Sequence, residues 1–197
     1  WWSQASQIAS MIRNGHEESL MRIGSLIFLN IGQLLPHQIE AFHTPLYIYP
    51  IGYKISRFYW STRTLGKRCQ YICSIHEIDS EPEFQIEIRE EGFENLLFKD
   101  KTAKGVWEKI IVPIRKLREA ANTIKVFNDF ITGEDLFGLN EPTIVRILES
   151  LPGVDQLTDY NYKFGRSPFY ELPLAINPSG SARTEVFMKS HFKRPHT

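Results

Sequence analysis

Apolar and polar positions alternate most cleanly at Glu83–Ile88, where Phe84, Ile86 and Ile88 interleave with Glu83, Gln85 and Glu87. Period-two spacing of this kind predicts a strand with one buried and one wet face. Arg68–Ile75 predicts a partner strand, with Asp79-Ser80-Glu81-Pro82 as the hairpin turn between them. Tyr53–Trp60 predicts a further strand, Leu96-Leu97-Phe98 a short one, and Tyr160–Phe164 a last one. Upstream, Ile23–Leu35 reads as a single first strand and Pro36–Phe42 as one short helix with Ile39 and Phe42 on one side.

The period changes after Asp100. Val106, Ile110, Ile114, Leu117, Ala121 and Ile124 recur at steps of three and four, which predicts an amphipathic helix over roughly 102–123, with Pro113 inside it. A second helix is predicted over about 141–150, with Asn140 as N-cap, Pro142 in its first turn and Pro152-Gly153 as its stop. Strands, then helices, then a strand predict an α+β fold, with helices packed on one side of an antiparallel sheet. Residues 1–22 read as a linker or a short helix, and everything after Leu172 as an extended tail.

Composition narrows the function classes. The 197 residues carry 42% hydrophobic and 13% aromatic side chains, ample for one sizeable core. The chain opens on Trp1 and reads as a fragment of something longer. No apolar run has the length of a membrane span. Walker, dinucleotide, H-E-x-x-H and G-x-S-x-G patterns are missing, and the six histidines are scattered. Cys69 and Cys73 stand alone as C-x3-C, too few thiolates for a structural zinc site, and read as small apolar residues on one face of a strand. The expectation is a non-enzymatic chain that holds neither metal nor cofactor.

Net charge is zero but unevenly spread. Lys54, Arg57, Arg63, Lys67 and Arg68 fall in a stretch, 41–76, without an acid; nine acids follow between Glu77 and Asp100. Two readings stand side by side. One is a basic surface facing nucleic acid or an acidic partner. The other is a pair of solvated sheet faces of opposite sign. The aromatic blocks at 46–60 and 160–166 are open in the same way, either to base stacking or to core packing.

Leu46-Tyr-Ile-Tyr-Pro-Ile-Gly-Tyr53 through Arg57-Phe-Tyr-Trp-Ser61 resembles the N-terminal half (FYRN) of the phenylalanine/tyrosine-rich module. Gly133-Glu-Asp-Leu-Phe-Gly-Leu139, Leu151-Pro-Gly153, Tyr162-Lys-Phe-Gly-Arg166 and the stretch from Glu171 to Gly180 resemble its C-terminal half (FYRC). The wording is most similar to trithorax-related, mixed-lineage-leukaemia-type methyltransferases of histone H3. The resemblance implies that the halves interlock in one α+β unit, with 1–22 as linker, 23–98 as the FYRN half, 99–172 as the FYRC half and 173–197 as a tail before a SET domain that lies outside this chain. It implies a nuclear chromatin protein whose parent uses S-adenosylmethionine, with that cofactor and zinc confined to the catalytic domain.

Ala182-Arg183-Thr184 matches the start of histone H3, and Glu185 follows. Members of this family use such a segment to engage a WD-repeat propeller subunit, and the resemblance assigns that partner here. A planar, permanently charged guanidinium suits a narrow channel lined by aromatic rings. The alternative is direct nucleosome or nucleic-acid binding through the basic stretch.

Overall fold

The computed structural model describes residues 21–37, 39–122 and 131–165. Its centre is a six-stranded antiparallel sheet in sequence order: β1 (Met21–Ile23), β2 (Leu26–Asn30), β3 (Lys54–Trp60), β4 (Arg68–Ile78), β5 (Glu81–Arg89) and β6 (Leu96–Asp100). Helices α1 (Ala103–Ala120), α2 (Gly133–Leu136) and α3 (Pro142–Leu148) follow, with 3-10 turns at Ile39–Phe42 and Val154–Gln156. This is the expected α+β arrangement, with the helices on one side of the sheet.

Register explains the core. Met21, Phe28, Ile55, Cys73, Ile86 and Phe98 stand opposite one another across all six strands. Because side chains alternate faces along a strand, the whole row points to the helix side. Helix α1 meets it with Ala103, Val106, Trp107, Ile110, Ile111 and Ile114, all buried. Thr102 caps this helix by accepting from the Gly105 N–H at 2.9 Å, where its side-chain oxygen satisfies one orphan donor. Pro113 stays within the helix.

Several expectations are corrected. The predicted strand 23–35 shrinks to β2, Leu26–Asn30, and Ile23 ends the separate β1, because Gly24 takes a left-handed φ of 56° and turns the chain back on itself. Met21 and Arg22, expected in a linker, belong to β1; residues 1–20 lie outside the described residues. The β4–β5 turn is only Asp79-Ser80, both at positive φ, while Glu81 and Pro82 already belong to β5. Pro82 is tolerated because its pair with Glu77 is the second from a two-residue turn, a position without ladder bonds between β5 and β4, and β6 begins pairing only at Phe84. The helix start at Pro36 gives way to a 3-10 turn at Ile39–Phe42. The cap of α3 is Glu141, whose carboxylate accepts from the Ile144 N–H at 3.1 Å, and not Asn140. Residues 160–164 form no strand. The predicted tail, everything after Leu172, lies outside the described residues.

Candidate functional site

The aromatic signatures meet at a seam around α2. Thr132 and Asp135 close this single turn as a capping box: the Asp135 N–H donates to the Thr132 hydroxyl at 3.1 Å, and the Thr132 N–H to the Asp135 carboxylate at 2.8 Å. Burial alone would raise the Asp135 carboxyl. Donation from Asn140 and Thr132, with the nearby Arg57 charge, more than reverses this and holds it below its ordinary range.

Residues from the first half then reach the turn. Tyr53 donates its hydroxyl to the Phe137 carbonyl at 2.6 Å. Arg57 Nη1 donates to the Asp135 and Leu136 carbonyls at 3.2 and 3.3 Å. The Cys73 thiol faces the Leu136 carbonyl at 3.9 Å. Tyr49 reaches forward to the Glu134 carboxylate at 3.0 Å. The Leu136 and Phe137 carbonyls lie at the C-terminal end of a helical turn, where backbone acceptors run out of partners within the helix. The first half caps a helix of the second.

Rings complete the seam edge to face. Tyr49 meets Phe84 at 4.9 Å and 88°, and Phe84 meets Phe137 at 5.5 Å and 87°. Two glycines let the backbones close. A Cβ on Gly133 would stand 2.2 Å from the Ala103 carbonyl oxygen, and one on Gly138, whose φ is 72°, 2.9 Å from Leu26 Cδ1. Burial raises the Tyr49, Tyr53 and Tyr71 phenols, and pushes the thiols of Cys69 and Cys73 up to about 11 and about 12. These hydroxyls and thiols stay protonated near neutral pH, so they act here as donors and packing groups.

The five basic residues do not gather on one face. Lys54 and Arg68 stand on the face turned away from the helices, and Arg68 lies over the Trp60 ring at 4.8 Å. Arg57 points the other way, into the seam. Arg63 pairs with Glu90 at 3.2 Å, donates to the Glu94 carbonyl at 2.7 Å and lies over Phe93 at 4.5 Å. Lys67 is exposed in the β3–β4 loop. The docking residues Ala182, Arg183, Thr184 and Glu185 lie outside the described residues. Among the described residues no group of three or more His, Cys, Asp or Glu is placed to hold a metal, and no helix is long and apolar enough to cross a membrane.

Sequence reasoning missed Glu149. It is completely buried and accepts from the Tyr160 hydroxyl at 2.8 Å, the Lys163 N–H at 2.6 Å and the Phe164 N–H at 3.0 Å. One acid at a helix end followed by Tyr-x-Tyr-x-Phe is too common a pattern to announce this. The carboxylate replaces the strand expected at 160–164 and fixes that loop, while the Asn161 N–H donates across the seam to the Pro45 carbonyl at 3.0 Å. Glu149→Ala strands these donors and is expected to lower stability by about 2–4 kcal/mol in urea denaturation, with faster tryptic cleavage after Lys163. Glu149→Gln, which keeps one acceptor, is expected to lose less. A loss below about 0.5 kcal/mol for the alanine variant would contradict this role.

With the seam defined, its relatives are informative. The family model described as F/Y-rich N-terminus (FYRN) matches residues 18–78, and that described as F/Y rich C-terminus (FYRC) matches residues 81–166. The two matches meet at the Asp79-Ser80 turn. Histone-lysine N-methyltransferase trr of Drosophila melanogaster is 51% identical over 195 residues, covering 97% of this chain and 8% of the relative. Histone-lysine N-methyltransferase 2D of Homo sapiens is 46% identical over 194 residues, covering 98% of this chain and 4% of the relative. Transforming growth factor beta regulator 1 of Mus musculus is 28% identical over 141 residues, covering 71% and 33% respectively. The chain therefore spans a small part of the methyltransferases it matches and about a third of the regulator. It belongs to the FYRN/FYRC family and carries both halves of the phenylalanine/tyrosine-rich module.

Proposed function

We propose that this chain is a non-catalytic assembly module of a nuclear histone-lysine methyltransferase whose other domains methylate histone H3. In this reading the folded seam is a rigid spacer, and Ala182-Arg183-Thr184-Glu185 is the peptide by which a WD-repeat propeller subunit takes hold. S-adenosylmethionine and zinc belong to the parent's catalytic domain. The observation that carries the proposal is the identity of 46–51% to two histone-lysine methyltransferases over nearly all of this chain, in a segment that is only 4–8% of their length.

Physical chemistry supports a structural role for the module. Tyr49, Tyr53, Tyr71, Cys73 and Arg57 are turned inward and hydrogen-bonded to a carboxylate or to backbone carbonyls. The regulator that shares the module is not named as a methyltransferase, which fits a role other than methyl transfer.

The docking part is tested by calorimetry of residues 1–197 with the isolated propeller subunit. Arg183→Ala is expected to weaken binding by about 30-fold or more, the loss that follows removal of a buried arginine anchor, without moving the melting temperature. Undiminished affinity would overturn the docking reading.

A further inference from the structure

The seam leaves one surface unexplained, the sheet face turned away from the helices. Alternation along β1, β3 and β4 turns Arg22, Lys54, Phe58, Arg68 and Gln70 to that face, and no acid of the first four strands stands beside them. The face is not evenly open. Ser56 and Ile72 near its middle are buried, whereas Phe58 is 60% exposed. Arg22 and Arg68 are exposed, as is Lys67 in the loop after β3. Register sets Phe58 opposite Gln70 and makes Arg68 its diagonal neighbour on β4, about 7–8 Å away. Among the described residues Arg22, Lys54 and Arg68 make no ion pair. The Trp60 ring gathers a further cation: the Arg118 guanidinium lies 5.6 Å from its centroid, with Arg68 at 4.8 Å. Glu87, two strands across from Phe58, is already held by Arg89 at 3.0 and 3.3 Å and by Asn95 at 3.2 Å. An exposed ring thus stands among cations whose charge the sheet does not answer.

We propose that this face binds single-stranded RNA, with an unpaired base stacked on Phe58 and the neighbouring phosphates met by Arg68, Lys67 and Arg22. Shape selects the partner class. Peptides are held at sheet edges or in grooves, whereas β3 and β4 are interior strands of the six. A ring on a sheet surface is a platform for an unstacked base of any sequence, and cations around it track the backbone. A duplex keeps its bases stacked and out of reach of such a ring. Gln70 selects the sugar. Its Nε2 donates to the Ser56 hydroxyl at 3.0 Å, which leaves Oε1 to accept from a ribose 2′-hydroxyl, the group that DNA lacks. None of these residues belongs to the seam or to the docking peptide, so the site stands or falls independently of the assembly role.

Fluorescence anisotropy of a labelled twelve-nucleotide oligouridylate, titrated with residues 1–197, tests this. At about 0.1 M salt the expected Kd is about 1–100 µM. Phe58→Ala is expected to weaken binding about fivefold or more with the melting temperature unchanged, Phe58→Leu to weaken it as much, and Phe58→Tyr to restore it. Arg68→Gln is expected to flatten the dependence of log affinity on log salt by about 0.7. Absence of binding at about 100 µM overturns the proposal. So does binding that Phe58→Ala leaves unchanged, which would place the RNA on other basic residues, or full affinity in the Phe58→Leu variant, which would make the ring a merely apolar contact. Equal affinity for the matching oligodeoxyuridylate, or for a twelve-residue polyglutamate peptide, also overturns it, by assigning the face to DNA as readily or to an acidic protein segment.

Discussion

Phe137→Ala is expected to lower the stability of the whole module by about 3–5 kcal/mol. The ring is completely buried and meets Phe84 edge-on, and Phe84 in turn meets Tyr49. Truncation removes the transfer free energy of the ring and leaves a cavity that the surrounding strands cannot close, because the Asp135, Leu136 and Phe137 carbonyls are pinned by Arg57 and Tyr53. A domain of this kind is stable by only about 5–15 kcal/mol, so the loss is a large share of the total. Since Phe137 comes from the second half and its neighbours Tyr49 and Tyr53 from the first, both halves should weaken together. Exchange of β3 and α1 amides in mild urea reads this out. A shift confined to the helices, with β3 unaffected, would contradict a shared interior.

Much of this architecture is visible in the residues themselves. Strands β3 to β6 and helix α1 follow from period-two and 3.6-residue spacing, because each element buries one side against a common core. What is not visible is mostly a matter of parity and of long-range partners. Phe58 belongs to an aromatic block open in the sequence to base stacking or core packing, yet Tyr53 and Ile55 face inward, and alternation then sends Phe58 outward to 60% exposure. The same parity turns Arg57 inward, where a cation would be costly without the carbonyls of α2 to receive it. Those carbonyls lie some eighty residues away, so no local pattern predicts the pairing.

Phe164 shows the same limit. It lies in the 160–166 aromatic block, open in the sequence to stacking or core packing, and it is 40% exposed beneath Arg146 at 4.3 Å. Its loop is organised by a buried carboxylate, not by ladder bonds. Gly133 and Gly138 look like ordinary turn glycines in the sequence; only the packed structure shows that their missing side chains let α2 approach α1 and β2.

The second large effect concerns chain connectivity. The two family matches meet at Asp79-Ser80, where only two residues link β4 to β5. Nine residue pairs, Gln70 with Arg89 through Ile78 with Glu81, zip these strands together. Removing the covalent link changes neither that ladder nor the seam at α2; it only makes closure bimolecular. Each half alone, by contrast, loses the surface its apolar row was built to cover. The first would expose Ile55, Tyr71 and Cys73, and the second Phe84, Ile86 and Phe137, all buried in the intact chain.

Co-expression of residues 1–79 and 80–197 as separate chains, followed by sizing and thermal melting, tests the shared interior most directly. The account predicts a single 1:1 species that persists on dilution to about 1 µM and melts in one transition, with neither half melting cooperatively by itself. Halves that separate on the column and each unfold in their own sharp transition would contradict it.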